Sequence, residues 1–206
     1  MSLFKTPFSA GYWKQSLKSF HSIRGMVFAA LMIAACIVLS HCSIKVTDVL
    51  TISFSFIARA LCALVYGPIG ALVFGAAEDT LSFILNSKGY AYFPGYMVTT
   101  MLGCLTYALF FYRTKVTVFK IFLAKLLTNL QNVFLGALWS AILYSKGYIY
   151  YFTQSAIKNL ISLPIYTLML VVVFQALLPI LHRMNIIPNQ LTGQEGKLGL
   201  NRMRWF

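Results

Sequence analysis

What most constrains this chain is a succession of long apolar stretches with almost no charge inside them. Runs such as "GMVFAALMIAACIVLS" (25–40) and "LPIYTLMLVVVFQALLPIL" (163–181) approach or reach the roughly 20 residues needed to cross a hydrocarbon core. Only 10% of the 206 residues are charged and 59% are hydrophobic, with a mean hydropathy of +0.76; a soluble domain carries about a quarter charged residues. The chain is therefore expected to be an all-α integral membrane protein with no soluble domain hidden in it. Six spans fit the pattern, at 25–41, 49–66, 68–85, 94–112, 118–144 and 156–181. They divide the chain into a basic, aromatic leader (1–24), a six-helix membrane domain (25–182) and a polar tail (183–206). Between the second and third spans stand only Gly67 and Pro68, a turn dipeptide that predicts a tight helical hairpin.

The formal charge of +13, with 17 basic residues against four acidic ones, is the composition of many nucleic-acid binders. Here the basic residues sit mainly between spans, so orientation in the bilayer accounts for them and a nucleic-acid partner is not expected. With the N-terminus inside, the cytoplasmic segments hold Lys5, Lys14, Lys18, Arg24, Arg113, Lys115, Lys120, Arg183, Lys197, Arg202 and Arg204. The external segments then hold Lys45, Lys88, Lys146 and the boundary residue Lys158. That asymmetry places both termini in the cytoplasm and turns the loops 41–48, 86–93 and 145–155 outward. The leader, with Phe4, Phe8, Tyr12, Trp13 and Phe20 among its cations, reads either as a segment lying on the inner membrane surface or as a loose tail.

Charged and polar groups inside spans face a protein interior or a water-filled cavity, so their positions are informative. Arg59 lies about ten residues into the second span, near mid-membrane, and Glu78 and Asp79 lie roughly 9 Å below the outer end of the third. Gln131, Asn132 and Trp139 occupy the middle and outer half of the fifth span; Lys158 and Asn159 open the sixth. Lys125, Thr128 and Asn129 sit lower. The bias toward the outer half predicts a cavity opening outward. Arg59 either pairs with Glu78 or Asp79 across the hairpin or serves that cavity. The stretch "NSKGYAYFPGYMVTTMLG" (86–103) adds Tyr90, Tyr92, Phe93 and Tyr96 around Pro94 and Gly95. An aromatic belt explains the rings alone; the Pro-Gly pair predicts in addition a helix starting at Pro94 with the loop held tightly above it. On the first span Ala30 and Ala34, four residues apart, form a small-xxx-small face for close helix packing, inside the bundle or against a partner subunit.

No G-x-x-x-x-G-K-[ST] loop, H-E-x-x-H or G-x-S-x-G occurs, so ATP hydrolysis, zinc-peptidase chemistry and a nucleophile elbow are not expected. His21, His41 and His182 are too far apart for a metal site, and Cys36, Cys42, Cys62 and Cys104 match neither a zinc nor a redox spacing. No cofactor or metal is expected, and an uptake role fits better than catalysis.

The segments "ISFSFIARALCALVYGPIGALVFGAAEDTLSFIL" and "YFPGYMVTTMLGCLTYALFFY", followed by "NVFLGALWSAILYSKG" and "IKNLISLPI", resemble the S components of energy-coupling factor vitamin transporters, most of all the folate-specific members. The resemblance covers roughly residues 22–182, its specific part being the "GPIGA...D" and "YFPG" elements. It departs at Gly136, where an asparagine is expected, and at Lys158, where an arginine is expected. It implies a substrate-binding subunit of a bacterial cell membrane that captures the vitamin from outside with high affinity and works with a transmembrane T component and two ABC-type ATPases. It also implies that Ala30 and Ala34 dock the T component. For folate, Asp79 or Glu78 is the expected partner of the pterin donor edge and Asn132 of the remaining ring atoms. Trp139, Phe93, Tyr92 and Tyr96 are expected to hold the flat rings. Lys158, Lys88 and Lys146, with Arg59 if no acid ties it, would attract the dianionic tail. Three rivals stay open: an S component for riboflavin, thiamine or pantothenate, a membrane-embedded enzyme, and a structural or assembly subunit in which the polar set only fixes helix packing.

Overall fold

The computed structural model describes residues 11–14, 16, 23–42, 44–45, 51–85, 92–144 and 147–188. Expectations resting on Lys88, Tyr90 and Lys146, on most of the leader and on the tail beyond 188 lie outside these residues. In hydrocarbon every backbone N–H and C=O must be paired within the protein, and apolar runs of this length meet that demand as helices. Helix α1 spans Ile23–His41, α2 Ser55–Leu85, α3 Pro94–Phe111, α4 Val118–Leu143 and α5 Tyr148–Arg183. Helices α3 to α5 are long and apolar enough to cross a membrane, as is α2 when its 31 residues are taken together, while the apolar part of α1, Gly25–Ser40, is shorter. Between α1 and α2 the chain forms a two-residue antiparallel ladder, β1 (Ile44–Lys45) with β2 (Thr51–Ile52).

Helix α2 is two helices joined at a break. Gly67 has φ 73° and ψ −167°, and Pro68 opens the second arm, so the six expected helical segments are present. Arg59 and Glu78 would stand roughly 28 Å apart on one straight helix, yet their side chains meet at 3.0 Å. The arms 55–66 and 68–85 therefore run antiparallel, the hairpin expected from Gly67-Pro68. A Cβ at Gly67 would lie 2.7 Å from Tyr112 Cδ1, so the turn requires glycine for both conformation and space. Ser16 fits into this turn, donating to Tyr66 O at 2.7 Å and accepting from Ile69 N at 3.1 Å. Tyr12 donates to Ala108 O at 2.9 Å and its ring meets that of Tyr112 edge-on. Both leader residues are fully buried, which places this part of the leader against the helix ends.

Two expected boundaries move. The second span, expected from residue 49, becomes helical only at Ser55, because residues 51–52 pair in the ladder and Ser53 N donates to Tyr166 OH. The sixth span, expected from residue 156, starts at Tyr148, so most of the expected loop 145–155 is helix. Hydropathy locates the apolar window and misses a polar, aromatic overhang; at roughly 54 Å, α5 is much longer than a bilayer core of about 30 Å. Helix α3 starts at Pro94 with Phe93 as its cap residue, as expected. Thr117 caps α4 by accepting from Lys120 N at 3.3 Å.

The helices close a ring. Phe28 of α1 meets Tyr66 of α2, α3 packs between the second arm of α2 and α4, α4 lies on α5, and Tyr166 of α5 returns to Phe56 of α2 with ring centroids 4.6 Å apart. Near the Gly67 turn the interior is solid, with Phe111 against Phe174 at 5.0 Å and Tyr66, Phe74, Tyr112 and Ile121 all buried. Cys36, Cys62 and Cys104 are buried and free, as packing residues are; Cys42 is exposed. On α1 the stripe Met26, Ala30, Ala34 and Val38 faces away from the bundle, all four exposed.

Candidate ligand-binding site

The acidic pair on α2 divides into two environments, because adjacent helix residues point about 100° apart. Glu78 is buried and receives Arg59 in bidentate fashion, Nε to Oε2 at 3.0 Å and Nη2 to Oε1 at 3.1 Å, with Ser82 Oγ donating to Oε1 at 3.2 Å. Both of its oxygens are bonded, by three donors in all, and Arg59 is committed to it. Asp79 is half-buried and accepts one bond from Thr100 Oγ1, at 3.0 Å, among the described residues. The carboxylate left with acceptor capacity is therefore Asp79.

Helix α3 carries two neighbouring threonines that link this acid to the aromatic cluster. Thr100 turns toward α2 and holds Asp79; Thr99 turns toward α4 and accepts from Trp139 Nε1 at 2.9 Å. Trp139 lies 5.7 Å from Phe93, which is 6.0 Å from Tyr96. Gly95 permits this closure: a Cβ there would stand 2.3 Å from Phe93 Cε1 and 2.7 Å from Trp139 Cδ2. Tyr96 OH is 3.4 Å from Ser140 Oγ, and Tyr92, edge-on to Phe83, donates to Met97 Sδ at 3.2 Å. Phe93, Tyr96 and Trp139 thus come together, with Tyr92 at the rim.

Helix α4 shows where the interior opens. Lys125, Thr128, Asn132 and Trp139 fall on one stripe at helical spacing. Lys125 and Thr128 are buried, whereas Asn132 is exposed and makes no side-chain bond among the described residues. Its neighbours fix the direction of that stripe: Gln131 Nε2 donates to Thr106 of α3 at 2.8 Å and Asn129 Nδ2 to Asn159 O of α5 at 3.0 Å. A residue between those two directions points between α3 and α5, into the ring. An exposed asparagine there means that the ring is open at that level. The acceptor oxygens of Asn129 and Gln131 are buried without a partner among the described residues. Lys158 is half-buried on α5 with no ion pair among the described residues. A separate groove of about 320 Å³ between α4 and α5, apolar apart from Asn129 and Asn159, occupies another face of α4, where Leu130, Phe134 and Leu160 are exposed. Asp79, Phe93, Asn132 and Trp139 do not line it.

Thr99 and Thr100 escape a reading built on charge and rings; the "TT" in "GYMVTTM", one turn inside the Pro94 start and facing an acid on the preceding helix, is the signal that could have found them. No group of three or more His, Cys, Asp or Glu side chains suited to a metal occurs among the described residues.

Apolar helices packed around polar and aromatic side chains, one of them a carboxylate with unused acceptor capacity, fit a membrane subunit that binds a small molecule. The sequence matches the family described as "ECF transporter, substrate-specific component" over residues 24–181, and the chain belongs to that family. It is 33% identical over 146 residues to "Folate transporter FolT" of Clostridium novyi (strain NT), covering 70% of this chain and 84% of that one. It is 30% identical over 149 residues to "Folate transporter FolT" of Leuconostoc mesenteroides, covering 69% and 80%. A solved structure described as "Crystal structure of FolT bound with folic acid" aligns with a TM-score of 0.65 at 27% identity, over 72% of this chain and 91% of that one.

Proposed function

We propose that this protein is the high-affinity folate-binding subunit of an energy-coupling factor transporter in a bacterial plasma membrane. Both termini lie in the cytoplasm and the chamber opens outward, following the distribution of lysine and arginine. It is a transport component and not an enzyme. Uptake is driven by a transmembrane T component and two ABC-type ATPases, and the Ala30/Ala34 stripe, which faces away from the bundle, is the surface offered to the T component.

The observation that carries this reading is the one-sided bonding of Asp79 to Thr100, the residue next to the Thr99 that receives Trp139. The pterin ring of folate presents an N–H and an amino group side by side, which a carboxylate accepts in bidentate fashion. Trp139, Phe93 and Tyr96, with Tyr92 at the rim, hold the flat rings by burial and stacking. Asn132, exposed into the chamber, takes remaining ring atoms. Lys158, next to the Asn159 that Asn129 bonds, offers a positive charge to the dianionic tail. Arg59 and Glu78 act as scaffold, holding the hairpin and leaving Asp79 as the acid that meets ligand.

Protein purified in detergent should carry a ligand with the absorbance and mass of a folate. Added folate should compete for its site, and riboflavin, thiamine and pantothenate should not. Copurification of one of those vitamins, or their equal competition, would replace this reading with that of an S component of other specificity.

A further inference from the structure

Glycine is the poorest helix former after proline, so a glycine well inside a helix calls for a reason: a positive φ, a neighbour too close for a side chain, or space that must stay clear. Gly67 has the first, and Gly75 has the second, since a Cβ there would stand 3.0 Å from Met101 Cα. Gly103 of α3 and Gly136 of α4 have neither. Their φ is not positive, and a Cβ built on either would meet no atom of the described residues within 4 Å. Both open spaces lie inside the ring of helices. On the surface of α3 the neighbours of Gly103 are the residues three and four away, and all four are bonded within the bundle: Thr99 to Trp139 at 2.9 Å, Thr100 to Asp79 at 3.0 Å, Thr106 to Gln131 at 2.8 Å and Tyr107 to Lys125 at 3.3 Å. On α4, Gly136 follows Asn132 by four residues and precedes Trp139 by three, which continues the inward stripe. Phe134 and Leu138, about 200° away round that helix, are exposed as lipid-facing residues are. The Thr99–Trp139 and Thr106–Gln131 bonds tie α3 to α4 at two levels, seven residues or roughly 10 Å apart along α3. Gly103, Gly136, Asn132 and the Thr100 that holds Asp79 all fall between these two ties.

We propose that Gly103 and Gly136 are specificity-determining residues, whose bare backbones keep clear the space that the planar heterocycle fills when its donor edge meets Asp79. This rests on the folate reading above and adds a steric element to it. Asp79 and Asn132 select by hydrogen bonding; the two glycines select by shape, because a flat ring can approach to backbone contact only where no side chain stands. The cost of two weak helix formers is then the cost of the slot, and a larger residue at either position occupies the room the ring needs.

The test is calorimetric titration of folic acid into wild-type, Gly103→Leu and Gly136→Leu protein, with a melting curve of each. Leucine is expected to lower affinity about tenfold or more at either position, of the order that overfilling a packed space costs. The melting temperature should stay at or above that of wild type, because leucine outranks glycine in a helix and meets open space. Gly103→Ala and Gly136→Ala decide the matter should the leucine proteins fail to fold: an affinity loss of about threefold is expected, again with an equal or higher melting temperature. Glycines kept for helix packing would give the reverse, a fallen melting temperature with affinity intact. That result, or wild-type affinity at both positions, would overturn the proposal while leaving the folate reading standing; wild-type affinity at one position removes that residue from the slot. A wild-type protein that binds no folic acid would remove both readings.

Discussion

At the Gly67 end the helices close on a solid aromatic layer, whereas at the Trp139 end the same helices hold polar groups apart around an opening. Tyr12, Tyr66, Phe111, Tyr112 and Phe174 are at most 1% exposed, and Ser16 satisfies both strands of the turn. Some turns further along the bundle, Asn132 is exposed on an inward-facing stripe and Asp79 keeps unused acceptor capacity. The packed end supplies stability and leaves nothing through which a ligand could pass; the open end gives up packing and carries the chemistry. Substitutions should therefore sort by end, stability losses at one and affinity losses at the other.

The largest effect belongs to the boundary between the two. Arg59→Met leaves the carboxylate of Glu78, 1% exposed, without its cation, and should cost about 3 kcal/mol, the low end for a broken buried pair because the Arg59 side chain keeps 30% exposure. Denaturant unfolding in detergent checks it. Unchanged stability with lost folate affinity would move Arg59 from scaffold to binding set. Next comes Gly67→Ala, which combines a positive φ with a 2.7 Å approach to Tyr112; a loss of about 2 kcal/mol or more is expected by the same measurement, with folate affinity kept in the folded fraction.

At the open end, Gly95→Ala drives a methyl into Phe93 and Trp139. Folate affinity should fall about tenfold, some 1.4 kcal/mol, with a small change in melting temperature, because rings at a half-open mouth can move aside without emptying the core. A large stability loss instead would mean that this cluster belongs to the packed region. The smallest effect is expected of Ser16→Ala, which strips the Gly67 turn of its bridging hydroxyl. About 1 kcal/mol should be lost with binding unchanged, and a fall in affinity would couple the two ends.

The parts of this division legible in the sequence are those written in short-range chemistry. Gly67-Pro68 announced the hairpin and Pro94 the start of α3, because backbone restriction acts within a few residues. The polar residues of α2, α4 and α5 announced an opening, because charge in hydrocarbon demands a reason. What stayed hidden depends on azimuth and on partners distant in sequence. Whether Arg59 takes Glu78 or Asp79 turns on roughly 100° of helix rotation. The starts of α2 and α5 were misplaced by several residues because a strand ladder and a polar helical overhang leave no trace in hydropathy.

The claim on which the rest depends is that Asp79, and not Glu78, is the acid that receives the ligand. Titrating Asp79→Asn with folic acid, followed through Trp139 fluorescence and alongside a melting curve, tests it directly. The account predicts an affinity loss of about thirtyfold or more with an unaltered melting temperature. Wild-type affinity in the folded variant would contradict it.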